Sequence, residues 1–238
     1  MATFTEQGPL AIALFEELIR HPSIQLLVPM NEASGSIIDR CVRNRLTGTV
    51  TGSPTYGVDM GKGFKGVTLV RANSERFDFG NVSLLNFTGA APFSILAVIK
   101  RTTGGSAGKQ VILGKQDAGV GWRFYQETDG SLNIQLLDGG GSATWGGATL
   151  TDGTLYQVVA TYDGLAQVTS AKSYSNGVES TANPGSIPFT NVANAGAVQI
   201  GANASSEHYN GTLGLLAVFD AVLTPREIKQ YAHMGGFV

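Results

Sequence analysis

The chain has 238 residues and a formal net charge of −2, and 14% of its residues are charged, against roughly 25% in ordinary soluble domains. Without a basic excess it lacks the electrostatic footprint of a nucleic-acid binder, and no apolar run is long enough to span a bilayer. A single cysteine, Cys41, excludes an internal disulfide, and three scattered histidines (His21, His208 and His233) make no zinc pattern with it.

Glycine is abundant, 32 residues, which suits many short strands joined by tight turns. The opening residues, from Met1 to Leu10, lack the basic region, apolar core and cleavage site of a secretory signal. Residues 1–23 read as an N-terminal helical arm. Leu10, Leu14 and Leu18 recur every fourth position with Phe15 and Ile19 beside them, and Pro22 stops the helix. Leu10, Leu14, Phe15 and Leu18 form its apolar stripe. A helix this short needs a surface to lie on, and the expectation is that the arm docks onto another chain of an assembly.

From Ile24 onward the period is two. Phe93, Ile95, Ala97 and Ile99 alternate with Ser94, Leu96, Val98 and Lys100, so both faces of that strand are fairly apolar. Leu132, Ile134 and Leu136 alternate with Asn133 and Gln135, which gives a strand with one wet face. Tyr156, Val158, Ala160 and Tyr162 share a face of a third. Asp129-Gly130, Asp152-Gly153, Asp163-Gly164 and Asn176-Gly177 are turn signals between strands. The pattern predicts an all-β fold, a two-sheet antiparallel jelly-roll sandwich over residues 24–238. A short C-terminal helix closes it, opened by the capping box Thr224-Pro225-Arg226-Glu227 and ended at Gly235-Gly236.

The order of segments resembles laminin-G-like modules of the concanavalin A-like superfamily. The stretches that carry the resemblance are Asn31 to Asp39, Pro92 to Lys100, Ile112 to Lys115, Gly121-Trp122, Leu150 to Gly164, Tyr174 to Gly177 and Val218 to Ile228. The resemblance implies two antiparallel sheets packed face to face, one of them concave. It implies no single activity, since such modules serve as sugar binders, adhesion modules, spacers of secreted enzymes and parts of phage particles. Function must be argued from sites.

Glycosidases of this fold carry a Glu-x-Asp-x-x-Glu pattern along one strand. Here the nearest match is Glu127-Thr128-Asp129, with Leu132 where the last carboxylate should stand. Calcium is disfavoured. Gly214-Leu215 occupies the place of the acidic pair that many relatives use, which leaves Asp39 and Asp78 as oxygen donors. The candidate ligand- or partner-binding residues are Trp145, on a glycine-rich stretch, and His208 and Tyr209, in the loop Glu207-His208-Tyr209-Asn210. The functional expectation is a non-enzymatic structural or adhesion module of a larger assembly. A phage virion is the favoured setting, with other protein subunits (a homo-oligomer included) or a cell-surface glycan as partners. The alternatives are a free-standing lectin-like protein and a glycoside hydrolase.

Overall fold

A computed structural model describes residues 7–102, 108–165, 167, 169–180, 191–203 and 207–238. The chain opens with α1 (Pro9–Ile19). It continues through β1 (Ile24–Val28), β2 (Ile37–Ile38), β3 (Thr47–Thr51), β4 (Thr55–Gly61), β5 (Phe64–Leu69), β6 (Arg76–Asp78), β7 (Phe93–Arg101) and β8 (Gln110–Asp117). Then come β9 (Val120–Gln126), β10 (Ser131–Asp138), β11 (Ser142–Thr149), β12 (Leu155–Tyr162), β13 (Ala171–Ser175) and β14 (Val178–Ser180). It closes with β15 (Val198–Ile200), β16 (Gly211–Phe219) and α2 (Pro225–Met234). The two helices and the three long strands read from the sequence are all present. Thr224 caps α2 reciprocally with Glu227, as the capping box requires.

Two sheets result, antiparallel throughout. The first runs β14-β13-β12-β7-β16-β5-β4, and the second runs β11-β10-β9-β8-β15-β6-β3-β2. On one edge β16 pairs with β7 along its length. On the other edge Gly211 to Leu213 pair with β5, and Leu216 to Phe219 pair with β1. Between the sheets lies the main core. The first sheet contributes Phe93, Ile95, Ala97, Ile99, Val158, Ala160 and Tyr162, and the second contributes Trp122, Phe124, Leu132, Ile134 and Leu136. Aromatic rings link the layers: Phe87 stacks on Phe93 at 4.4 Å, and Phe93 lies 5.9 Å from Trp122.

The other face of the first sheet is also dry. Leu96, Val98, Val159, Leu215, Ala217 and Phe219 point away from the main core into a second apolar cluster, where they meet Leu14 and Leu18 of α1 and Ile228, Tyr231 and Ala232 of α2. The molecule is thus a three-layer stack, with the helices as the third layer. Cys41 lies in the same layer, its Sγ donating to the Ile24 carbonyl at 3.3 Å.

This corrects the expectation for the N-terminal arm. Leu14 and Leu18 are fully buried against the chain's own sheet, and Phe15 packs on the same cluster. Leu10 remains 42% exposed. The sandwich itself supplies the surface that Leu14 and Leu18 need, so α1 covers the first sheet; residues 1–6 of the expected arm lie outside the described residues. His21, just beyond the helix, packs edge-on to Phe219 at 5.0 Å and lies 3.5 Å from the Glu227 carboxylate of α2. Leu14→Ala therefore creates a cavity under the sheet. It should lower unfolding free energy by about 2–5 kcal/mol, read from urea denaturation; a change below about 1 kcal/mol would show that the helix is only loosely attached.

Candidate functional site

Three of the four sheet faces are taken by the two apolar layers. The fourth, the solvent side of the second sheet, is built from the alternate residues of β8 to β11. Register places Tyr125 opposite Asn133 and Arg123 opposite Gln135, while Asn133 and Gln135 in turn face Gly146 and Thr144 of β11. Their strand neighbours Trp122, Phe124, Leu132, Ile134 and Trp145 point into the core. One strand period therefore separates a dry set from a polar one.

The polar set is knitted together. Arg123 Nε donates to Gln135 Oε1 at 2.6 Å, and its Nη1 pairs with the Glu207 carboxylate. The Arg123 guanidinium lies 5.0 Å and the Lys109 ammonium 5.1 Å from the Tyr125 ring centroid, both within cation–π range. Tyr125 OH donates to Glu127 Oε1 at 3.3 Å. Burial, reinforced by the Glu127 charge, pushes the Tyr125 phenol well above its ordinary range, so it stays a neutral donor. Asn203 Nδ2 donates to Glu207 at 2.6 Å and to Gln116 at 3.3 Å, which holds the segment after β15 onto this face. Arg123, Tyr125, Asn133 and Gln135 are each at least nine-tenths buried, yet none belongs to either apolar cluster. The face carries planar amides, a guanidinium and a ring, already hydrogen-bonded and packed on one another.

The residues singled out from the sequence fall elsewhere. Trp145 is not on a loop. It stands in β11 opposite Ile134 and is 1% exposed in the main core, with its ring 6.1 Å from Tyr162. The glycines around it reflect close packing. A Cβ at Gly146 would meet Asn133 Oδ1 at 2.9 Å, and one at Gly147 would meet Ser173 Oγ at 1.8 Å and Ser173 Cβ at 3.0 Å. Tyr209 is also a core residue, fully buried between the sheets, because the chain after β15 turns back and its N–H donates to the Gly201 carbonyl at 2.8 Å. Both corrections have one cause: an aromatic ring beside glycines gains more from burial than from exposure. His208 is half-buried beside Tyr209, and its neighbour Glu207 is the member of that loop that reaches the polar face. Arg123 and Tyr125 went unnamed in the sequence. Their signal was the alternation with Trp122 and Phe124 along β9.

The oxygen donors considered for calcium are engaged in turns. Asp39 Oδ1 accepts the N–H groups of Leu27 and Cys41, each at 2.8 Å, and burial raises its carboxyl pKa. Asp78 accepts from Gly80 N–H at 2.7 Å and from Gln199 at 3.0 Å. Gly214-Leu215 lies at a bulge in β16. Leu215 is in the helix-covered layer, and a Cβ at Gly214 would meet Met60 Sδ at 2.6 Å. Among the described residues no group of three His, Cys, Asp or Glu side chains is placed to hold a metal ion. Asp129 serves the β9–β10 turn, where its carboxylate accepts from Ser131 N–H at 2.8 Å. No helix among the described residues is long and apolar enough to cross a membrane.

Comparison with solved structures shows the same fold at low identity. The binding domain of Paraclostridial Mosquitocidal Protein 1 superposes with a TM-score of 0.69 at 13% identity, over 92% of this chain and 52% of that one. The botulinum neurotoxin serotype G binding domain gives 0.67 at 13%, over 88% and 50%. This chain thus spans about half the length of those toxin domains. Domain 4 of AbnA, an extracellular arabinanase of Geobacillus stearothermophilus solved in complex with arabinotriose, gives 0.63 at 16%, over 88% of this chain and 98% of that one. A search of curated proteins found no match. A laminin G domain model, described as the concanavalin A-like lectin/glucanases superfamily, matches residues 72–229; the chain belongs to that family.

Proposed function

We propose that this chain is a non-catalytic carbohydrate-binding and adhesion module that reads a glycan on the solvent side of its second sheet. The observation that carries the reading is the connected set of polar side chains gathered around one tyrosine ring on that sheet face: Arg123, Tyr125, Asn133 and Gln135. The other three faces are occupied mainly by the two apolar clusters. Sugars present adjacent hydroxyls that both donate and accept. Amides answer both roles, and a guanidinium adds directed donors. The fold neighbours support the reading. AbnA domain 4 was solved with arabinotriose, and a Ruminococcus gnavus sialidase CBM40 domain, TM-score 0.51, was solved with sialyllactose.

The proposed setting is a larger assembly, a phage virion, in which the module is displayed toward a cell surface. The single cysteine, buried in the apolar layer, supports this, since the domain folds without disulfides and so suits assembly in a reducing cell interior. An antibody raised against the domain should decorate intact particles; labelling only of soluble protein would contradict the virion setting.

Asn133→Ala removes an amide from the middle of the face, and Lys109→Ala removes the ammonium that lies over the Tyr125 ring; neither side chain belongs to the apolar core. Each should weaken binding to the best ligand on a glycan array by about tenfold, the equivalent of one hydrogen bond to a polar ligand. Melting temperature should move by less than about 4 °C. Unchanged glycan binding by both variants would place the site elsewhere.

A further inference from the structure

The far end of β8 holds a lysine that the polar face does not use. Lys115 pairs with Trp122 across the β8–β9 ladder and with Val198 on β15, and it is fully buried. An ammonium has three N–H donors and no acceptor. Here each donor has its oxygen: Asn81 Oδ1 at 2.9 Å, the Asn194 carbonyl at 2.9 Å and the Gly196 carbonyl at 2.6 Å. All three are neutral. The charge is answered by dipoles that converge on one point, which is the donor set of an oxygen-liganded cation site.

The walls of this cage are themselves fixed. Asn194 Nδ2 donates back to the Lys115 carbonyl at 3.2 Å, and Asn194 Oδ1 accepts from Gly196 N–H at 2.8 Å. Asn86 Oδ1 accepts from Asn194 N–H at 3.2 Å. A Cβ on Gly196 would come within 2.4 Å of the Gln116 carbonyl, and one on Gly121 within 2.1 Å of the Lys115 carbonyl. The segments around residues 81 and 194–196 are distant in sequence and meet β8 at this point.

We propose that the Lys115 ammonium is a built-in cation. It ties the segments around Asn81 and 194–196 to the end of the second sheet, as a bound metal ion would, and so fixes the stretch of β8 that presents Gly114 and Gln116 to the polar face. Burying an ammonium is far costlier than burying a neutral side chain unless its donors are all met. The same three oxygens lose their common donor when the charge is removed. Lys115 is a positioning residue in this account, and its action is through backbone placement.

The test is thermal unfolding of the full chain carrying Lys115→Met, which keeps the apolar stem, and Lys115→Ala, which opens the cage. Each variant is measured with n-propylammonium, the fragment that alanine lacks, and with the neutral analogue n-propanol. Both variants should melt roughly 5–15 °C below the unsubstituted chain, with faster amide exchange at residues 192–196. Propylammonium should raise the melting temperature of Lys115→Ala but not of Lys115→Met, and propanol should raise neither. If Lys115→Ala does not fold alone, refolding yield with propylammonium against propanol gives the same reading. Melting of Lys115→Met within about 2 °C of the unsubstituted chain, or equal rescue by propanol, overturns the proposal.

Discussion

All nine residues of β16 are buried, and so is nearly all of its neighbour β7. A strand in that position must be dry on both sides, and most of the architecture follows from the requirement. One side meets the second sheet. The other has to be covered as well, and α1 and α2 are the only helices of more than a single turn among the described residues available to cover it. At about 25 cal/mol per Å² of apolar surface removed from water, the helices on this layer are part of what stabilises the domain, not additions to it.

The same constraint bears on the proposed glycan site. With most of the first sheet covered on both faces, the connected polar set of Arg123, Tyr125, Asn133 and Gln135 lies on the outer side of the second sheet. Leu215 lies beneath the helices, in a layer where an unpaired carboxylate would be strongly disfavoured. Lys115, in the second sheet, is a buried charge met by three neutral oxygens.

Much of the fold was legible in the sequence because period-two alternation survives single-residue reading. The wet face of β10 was visible directly in Asn133 and Gln135, and the capping box of α2 was a sufficient stop-start signal. Three things were not legible. The apolar stripe of α1 reads the same whether it covers its own sheet or another chain's, because the stripe states a need and not a partner. The glycines around Trp145 read as a flexible stretch, although Gly146 and Gly147 lie in β11 against Asn133 and Ser173. The loop that holds Glu207 and Tyr209 splits its residues between face and core, and only the turn at Gly201 decides which goes where. Local pattern cannot carry a choice made by long-range contacts.

Amide hydrogen exchange measured peptide by peptide tests the three-layer arrangement most directly. Exchange in α1 should require nearly the same opening free energy as exchange in β7 and β16, since the helix and both strands share one apolar layer and should open as one cooperative unit. Rapid exchange in α1 while β16 stays protected would contradict it, because the helix would then be a loosely held arm and the outer face of the first sheet would be open to other partners.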